Sequence, residues 1–250
     1  MKNHPKGAAE KLKEAHDQLA QAREQLLHSE KLSAIGRLAS SIAHELRNPL
    51  GVINSSVQFC LEKLSPEDKI REHMEVIRRN VQQANKIIGD LLDFAKPQQM
   101  ELVPVPLNLV LEDAIGLMGT KLFESGIRIE KQYPPILPEV RIDRRRLGQA
   151  FINFMLNALE AMPAGGTLFI SAEVDTKHRQ VMILFRDTGT GIAKEALKDL
   201  FTPFYTTKEK GVGLGLFTAR RIIEAHGGKI EITSPGSGSG TAVTVLLYLT

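Results

Sequence analysis

The chain has 250 residues, about 1.7 times the ~150 of a typical domain, so we expect two compact units or one large one. Hydrophobic residues make up 42% and charged residues 24%, an ordinary globular composition that excludes collagen and wholesale disorder, and the single Cys60 excludes an internal disulfide. The net charge of +3 is too small to indicate a nucleic-acid or membrane surface, and no apolar run approaches the ~20 residues that span a bilayer, so we expect a cytoplasmic protein without nucleic-acid partners.

The first predicted element is a coiled-coil helix over residues 1–31. Its apolar residues recur in alternating steps of four and three, which is typical of the seam of a two-stranded coiled coil: Leu12, Ala15, Leu19, Ala22 and Leu26. One amphipathic helix that packs on its own domain fits the same pattern. We favour the dimeric coiled coil because alanine in the seam permits close approach of two helices.

Residues 32–96 are predicted to form a helical hairpin. The apolar residues of its first helix, over 35–64, follow an eleven-residue repeat, and a second apolar stripe runs over 70–95. Ser65 is the predicted N-cap of the second helix, with Pro66 at its first helical position. Since each helix is apolar on one face only, two hairpins are expected to pair as a homodimeric four-helix bundle.

The composition changes after the hairpin. Residues 97–106 are polar and contain prolines, so we predict a linker there. Over 107–250, helical patterns alternate with β-rich segments, among them 127–133, 167–174, 181–186 and 242–249. Because several of these strands follow one another without an intervening helix, an α+β sandwich is favoured over a doubly wound parallel sheet.

His44 stands on the predicted solvent face of the first hairpin helix, about 200° from Leu46 of the apolar stripe at 100° per residue. Asn48 lies one turn further along the same face. Pro49 removes the amide hydrogen that would bond to the Glu45 carbonyl, so we expect a bend beside the histidine. A bend next to an exposed His–Glu pair suggests a site that another domain approaches, although an ordinary surface histidine fits the same pattern.

The seven residues from His44 to Leu50 resemble the phosphoacceptor box of bacterial two-component sensor histidine kinases. The resemblance implies that His44 is the phosphorylated residue, that Glu45 is the acid/base that orients and deprotonates it, and that Asn48 positions water for dephosphorylation. The chemistry agrees, because a neutral imidazole has one unprotonated nitrogen that can attack phosphorus. A carboxylate that accepts the other N–H increases the basicity of that nitrogen.

Later segments carry residue types that suit a nucleotide pocket. Asn153 and Asn157 share one face of the helix predicted for 144–161, although two buried amides that bond to the backbone would give the same pattern. A turn with two glycines follows a β-rich run at 187–192, and a glycine-rich loop precedes a helix at 211–216, where helix amides are able to cradle phosphates. A dinucleotide fold is disfavoured because no βαβ unit with a ribose-binding acid surrounds that loop.

In chain order, these segments resemble the asparagine, first glycine, phenylalanine and second glycine boxes of the histidine-kinase ATP domain. The phenylalanine box is 201–208, and Gly240-Thr241 resembles the closing glycine-threonine element. The resemblance covers about Lys31 to Thr250, and the string 157–163 looks closest to the nitrogen-regulation-like branch. It implies a hairpin bundle followed by an α/β sandwich of the type shared with gyrase and chaperone ATPases. With the coiled coil that the heptad spacing predicts at the N-terminus, we expect an α+β multidomain protein.

The resemblance also implies roles for residues around ATP. Asn157 binds Mg²⁺ and Asp187 accepts a hydrogen bond from the adenine amino group. Further contacts to the nucleotide are implied for Asn153, Gly189, Gly191, Ile192, Thr206, Thr207, Lys208, Gly211, Val212, Gly213, Leu214, Gly215, Leu216 and Thr241. Thr188 stands where the family often has asparagine, which leaves the packing of adenine open. Residues 209–215 are expected to form a mobile lid.

The sequence therefore predicts a kinase core that uses ATP and Mg²⁺ to phosphorylate His44, transfers the phosphoryl group to an aspartate of a response regulator receiver domain, and acts as a phosphatase on that regulator. Related gyrase-like, mismatch-repair and heat-shock ATPases have a water-activating glutamate where this chain has Asn153, and an amide is a far poorer base. A non-catalytic scaffold would lack His44, Asn157 or Asp187. We expect a homodimer in the cytoplasm. A cytoplasmic portion of a larger sensor, with or without a membrane anchor and with its sensor domain upstream, fits the same sequence.

Overall fold

The structure is a computed structural model that describes residues 46–95, 100–208 and 212–249. Within these ranges no helix is long and apolar enough to cross a membrane. Several predictions fall outside the described residues: the coiled coil over 1–31 and the predicted site residues His44, Glu45 and Gly211.

The chain divides into two compact units, 1–97 and 98–250. The described part of the first unit is a pair of helices, α1 over 46–63 and α2 over Lys69–Ala95. Each helix buries a few apolar side chains: Val57 and Leu61 on α1, and Val81, Ile88 and Leu92 on α2. Other apolar side chains of the pair stay exposed in the single chain: Leu46, Val52, Ile53, Phe59, Ile70, Val76, Ile77 and Ile87.

The turn between α1 and α2 corrects the predicted start of the second helix. Lys69 is the first residue of α2, and the Asp68 carboxylate accepts a hydrogen bond from the Ile70 amide at 2.9 Å. Ser65 and Pro66 lie in the turn that precedes the helix, where the Ser65 carbonyl accepts from the Asp68 amide at 3.2 Å. The cap is therefore an aspartate three residues further along the chain, because the tight turn occupies the positions predicted for the first helical residues.

Arg71 closes the same turn from α2. Its guanidinium donates hydrogen bonds to the Leu61 carbonyl at 2.9 Å and to the Leu64 carbonyl at 3.1 Å. The last carbonyls of an α-helix have no partner within the helix, and a cation at that end interacts favourably with the helix dipole. Arg71 therefore satisfies the end of α1 from the first turn of the next helix.

The second unit is an α/β sandwich, as predicted. Its elements in chain order are β1 Val103–Pro106, α3 Leu107–Glu124, β2 Ile127–Gln132, β3 Glu139–Ile142, α4 Arg144–Ala161, β4 Gly166–Asp175, β5 Gln180–Asp187, α5 Lys194–Leu197, α6 Gly215–Ala225, β6 Lys229–Thr233 and β7 Ala242–Tyr248. The main sheet has the order β2-β4-β5-β7-β6, and only β2 and β4 are parallel. Buried residues alternate along the central strands, so one sheet face packs with α3, α4 and α6 around a single core.

One strand lies where the sequence predicted a linker. Val103–Pro106 forms β1 and pairs antiparallel with β3, with Val103 opposite Ile142 and Pro106 opposite Glu139. The stretch 97–106 is therefore not a linker throughout, because its last four residues form a strand of the second unit.

Aromatic packing fixes α4 against the sheet. The rings of Phe151 and Phe154 on α4 lie 5.3 and 5.5 Å from the ring of Phe185 on β5, measured between centroids. Asp143 is the N-cap of this helix, and its side chain accepts a hydrogen bond from the Arg146 amide at 3.0 Å. These contacts hold the face of α4 that carries Asn157 next to the end of β5.

Candidate nucleotide-binding site

A cavity of about 400 Å³ lies in the second unit, between α4, the end of β5 and the segment that leads into α6. It collects many of the predicted site residues from segments far apart in sequence: Asn157, Asp187, Gly191, Ile192, Thr207, Lys208, Leu216 and Thr241. Other predicted residues are described but do not line the cavity: Asn153, Gly189, Thr206, Val212, Gly213, Leu214 and Gly215.

Asp187 is a buried and oriented carboxylate at the end of β5, with 9% of the residue exposed. Its Oδ1 accepts hydrogen bonds from the amides of Gly189 at 2.8 Å and Thr241 at 3.1 Å. No other described residue donates to Oδ2, which leaves one oxygen able to accept from a ligand. Burial raises the pKa of Asp187, and the two amide hydrogen bonds oppose that rise.

The two glycines that follow Asp187 differ in their surroundings. A Cβ on Gly189 would lie 2.5 Å from the carbonyl oxygen of Ala161 at the end of α4, so this glycine permits contact with the helix rather than with a ligand. Gly191 lines the cavity and has a φ of +67°, a conformation that favours glycine. A Cβ on Gly191 would lie close to the carbonyl oxygen of Gly236, so contacts within the protein require glycine at both positions, and of the two only Gly191 lines the cavity. The close approach to a ligand that the sequence predicted for them stays a prediction.

Thr188 points its hydroxyl toward the protein. Its Oγ1 accepts from the Thr167 amide at 3.0 Å and lies 3.6 Å from the sulfur of Met162, and the residue does not line the cavity. This threonine joins the end of β5 to the start of β4 and leaves the hydrogen bonds of Asp187 in place.

Asn153 matches the alternative interpretation of a structural amide. Its Nδ2 donates to the Gly215 carbonyl at 3.1 Å, and Gly215 is the first residue of α6. The side chain thereby ties α4 to α6 beside the cavity, and a nucleotide contact by Asn153 is not supported by its position.

Asn157 has the position expected of a cation ligand. Its Oδ1 lines the cavity side of α4 and accepts a hydrogen bond from the ammonium of Lys208 at 3.1 Å. Lys208 also forms an ion pair with Glu160, which lines the same cavity. Amide oxygen is a ligand that Mg²⁺ accepts readily, and this one already faces a positive charge, so the residues present fit the metal.

Glu160 is a charged residue of the cavity wall that the sequence analysis did not assign to the site. It follows Asn157 by three residues on α4, a spacing that places two side chains on the same helix face. This spacing is the sequence signal by which Glu160 could have been placed in the candidate site beside Asn157. Among the described residues, no group of three or more His, Cys, Asp or Glu forms a metal cluster.

The segment 206–208 presents Lys208 to the cavity. The Thr206 hydroxyl accepts from the Lys208 amide at 3.1 Å, which stabilises a local turn, while Thr207 and Lys208 line the cavity. Since residues 209–211 lie outside the described part of the chain, the predicted lid over 209–215 stays a prediction.

Asn48 is the one predicted residue of the phosphoacceptor box within the described chain. It is exposed on α1, as are its neighbours Leu46, Arg47 and Pro49, so the predicted solvent face stays a prediction. The exposure leaves its amide accessible to an approaching protein.

Two family descriptions match the chain. Residues 34–99 match the His Kinase A (phospho-acceptor) domain, and residues 142–250 match the Histidine kinase-, DNA gyrase B-, and HSP90-like ATPase. The matches divide between the two compact units.

Named relatives extend over most of the chain. It is 36% identical over 239 residues to Sporulation kinase C of Bacillus subtilis (strain 168), covering 95% of this chain and 54% of that protein. It is 32% identical over 224 residues to Sensor histidine kinase ZraS of Escherichia coli (strain K12), covering 90% and 48%. The chain thus spans about half the length of these curated relatives.

Solved structures agree in fold. The full-length protein ShkA in complex with AMPPNP gives a TM-score of 0.71 at 26% identity, over 86% of this chain and 46% of that one. The catalytic domain of histidine kinase ThkA gives 0.54 at 31% identity, over 60% and 96%. ThkA in complex with the response regulator protein TrrA gives 0.66 at 26% identity, over 93% and 67%.

Proposed function

The chain belongs to the bacterial two-component sensor histidine kinases, and on this premise we propose that it phosphorylates its own His44 with ATP and passes the phosphoryl group to an aspartate of a response regulator. The observation that carries the proposal is the single cavity that gathers Asn157, Asp187 and Lys208 from three distant segments. The assignment to the nitrogen-regulation-like branch remains a prediction.

Adenine is proposed to lie against Asp187. The carboxylate is held by two amides through Oδ1, so Oδ2 is available to accept a hydrogen bond from the exocyclic amino group. The structural relative ShkA binds AMPPNP, an ATP analogue, which supports an adenine nucleotide as the ligand. Thr241 stabilises the carboxylate from the loop before β7 and also lines the cavity.

The phosphate end of the nucleotide is proposed to lie toward Asn157 and Lys208. When bound, Mg²⁺ would neutralise charge on the phosphate oxygens, and Asn157 is the residue proposed to hold it. Lys208 offers a flexible ammonium at the cavity wall that is able to pair with a phosphate oxygen. Of the predicted ATP contacts that lie outside the cavity, residues 212–215 belong to the loop into α6, and we propose that they meet the phosphates through their backbone amides.

The proposed transfer is an in-line displacement at the γ-phosphorus. A ring nitrogen of His44 forms the new bond to phosphorus, the bond from phosphorus to the β–γ bridging oxygen breaks, and ADP leaves with that electron pair. Glu45 accepts the hydrogen bond from the other ring nitrogen and takes its proton as the imidazole gains positive charge. Most of the catalysis is the positioning of the two groups.

The second step moves the phosphoryl group to a regulator. A carboxylate oxygen of the regulator's aspartate attacks phosphorus and the bond to His44 breaks. The proton that Glu45 took returns to the ring, which restores the neutral imidazole. ThkA, whose structure includes the response regulator protein TrrA, supports a partner of this class. The kinase is also proposed to act as a phosphatase on the regulator. In that reaction Asn48, which is exposed on α1, positions the water that hydrolyses the regulator's phosphoaspartate.

A homodimer is proposed through the hairpin. The exposed apolar side chains of α1 and α2, such as Val52, Ile53 and Ile77, would be covered when a second hairpin packs against them. Light scattering of the full chain tests this directly, and a monomer at micromolar concentration would contradict it.

The experiment that tests the proposed reaction compares two labelled nucleotides. With Mg²⁺, the full chain should retain label from γ-labelled ATP but not from α-labelled ATP. The retained label should be released by acid and kept in base, because a phosphoramidate bond behaves in that way. Acid-stable label, or equal retention from both nucleotides, would contradict histidine phosphorylation.

A further inference from the structure

Two oxygens on one face of α4 hold the same ammonium group. Lys208 Nζ donates to Asn157 Oδ1 at 3.1 Å and forms an ion pair with the Glu160 carboxylate. Asn157 and Glu160 are three residues apart on the helix, so their side chains are neighbours. All three residues line the cavity.

We propose that Asn157 and Glu160 form one cation site that Lys208 and the Mg²⁺ of a bound nucleotide use in turn, with Glu160 as the second protein ligand of the metal. The inference rests on the proposed binding of ATP and adds a metal ligand to it. It assigns Glu160 a role in binding the metal, which the sequence analysis gave to Asn157 alone.

The chemistry of the two oxygens suits this exchange. Mg²⁺ prefers hard oxygen ligands and is usually held by one or two carboxylates together with substrate phosphates. Asn157 is neutral, so by itself it provides an oxygen without a charge. Glu160 supplies the negative charge, and a divalent ion interacts with that charge more strongly than an ammonium does.

The exposure of the ion pair permits the exchange. The side chains of Lys208 and Glu160 are 44% and 41% exposed, and exposed ion pairs stabilise a fold very little. Lys208 is therefore able to leave α4 at little cost to the fold. Since it stays at the wall of the cavity, its ammonium would pair with a phosphate oxygen of the same nucleotide.

A purely structural role for Glu160 makes a different prediction. If Glu160 only positions Lys208, then Glu160→Gln acts on nucleotide binding through Lys208 alone and should change the affinity by the same factor in Mg²⁺ and without the metal. If Glu160 binds the metal, Glu160→Gln should weaken nucleotide binding only when Mg²⁺ is present. Lys208→Met should weaken nucleotide binding with or without the metal, because the phosphate loses its cation.

The experiment is calorimetric titration of the full chain with AMPPNP, in Mg²⁺ and in EDTA. Its readout is the Mg²⁺ advantage, which is the dissociation constant in EDTA divided by the dissociation constant in Mg²⁺. This measurement requires no catalysis. We expect Glu160→Gln to reduce the Mg²⁺ advantage of the unaltered chain by about tenfold or more, a loss typical of weakened metal ligation, and to leave binding in EDTA unchanged or tighter. Glu173→Gln, a change at an exposed glutamate on β4 outside the cavity, is the matched control and should keep the advantage.

Binding of Mn²⁺ without nucleotide gives a second readout. Electron paramagnetic resonance should show tighter Mn²⁺ binding in Lys208→Met, because the competing ammonium is gone, and weaker binding in Glu160→Gln. An undiminished Mg²⁺ advantage in Glu160→Gln, or equal Mn²⁺ affinities in the two variants, would overturn the cation site. Failure of the unaltered chain to bind AMPPNP in either buffer would instead overturn the proposed function.

Discussion

Nε2 of His226 accepts a hydrogen bond from the backbone amide of Asp143 at 2.9 Å, which joins the end of α6 to the N-cap of α4. Because an amide only donates, the imidazole proton must be on Nδ1, which lies 2.7 Å from the Ile222 carbonyl oxygen. The neutral ring thus holds together the two helices that flank the cavity, with Asn157 on one of them.

The first prediction concerns acid stability of the second unit. Burial is the main cause that lowers the pKa of His226 below its ordinary value of 6.5. Above that value both the folded and the unfolded chain are neutral at this residue. As the pH falls through it, the unfolded chain takes up the proton first, so the free energy of unfolding decreases. Urea titrations from about pH 8 to about pH 5 should show this decrease in the free energy of unfolding.

The variant His226→Gln isolates that contribution. Its side-chain oxygen is able to accept from the Asp143 amide without titrating, so its stability should fall less steeply with acid than that of the unaltered chain. Parallel pH profiles for the two proteins would show that His226 does not carry the effect.

The second prediction concerns adenine recognition by Asp187. In Asp187→Asn, the amide oxygen is still able to accept from Gly189 and Thr241, so the fold is retained, but an NH₂ group replaces the second acceptor. We expect ADP binding to weaken by about 1–3 kcal/mol, since a hydrogen bond to a charged group is lost. Fluorescence or calorimetric titration measures it, with GDP as the control nucleotide. Equal losses for ADP and GDP would contradict the adenine contact.

The third prediction separates two activities of the phosphoacceptor box. Asn48 is exposed on α1 and is not required for attack by His44 in the proposed reaction. Asn48→Ala should therefore keep autophosphorylation within about tenfold, which corresponds to roughly 1.4 kcal/mol of barrier, and lose most dephosphorylation of the regulator. Glu45→Ala should have the opposite effect, because the carboxylate prepares the imidazole.

Both reactions are measured for both variants with the cognate regulator present. If the two substitutions depress both activities in parallel, Asn48 acts through the local structure next to Pro49 and the phosphatase role must be abandoned.

The fourth prediction concerns the turn of the hairpin. Arg71→Met removes the two hydrogen bonds to the Leu61 and Leu64 carbonyls, and we expect the first unit to lose about 1–2 kcal/mol of stability. Thermal unfolding followed by circular dichroism measures the change. Arg79→Met, at an exposed position of α2, is the control and should have little effect. An equal loss of stability in both variants would show that the two hydrogen bonds of Arg71 do not account for the effect.

Local patterns in the sequence predicted the regular elements well. The residues predicted for α4, 144–161, are those of the observed helix, whose N-cap is Asp143 and whose apolar residues recur at helical spacing from Leu147 onward. The strands β2, β4, β5 and β7 follow their predicted segments to within a residue or two, because alternating apolar residues face one core.

Elements that depend on distant partners were not predictable in the same way. Pro104 and Pro106 led to the prediction of a linker where the structure has β1, although an edge strand tolerates proline. The partner strand β3 lies more than thirty residues further along the chain, so no local pattern indicates the pairing. The contact of Asn153 with Gly215 likewise joins residues 62 apart, so only the fold distinguishes it from a ligand contact.

The central claim is that His44 receives the γ-phosphoryl group of ATP. Mass spectrometry under alkaline conditions, after incubation of the full chain with ATP and Mg²⁺, locates the modified residue. The account predicts phosphohistidine at position 44, its loss in His44→Ala, and its retention in His73→Ala, a change at an exposed histidine on α2. Phosphorylation at another residue, or undiminished phosphohistidine in His44→Ala, would contradict the account.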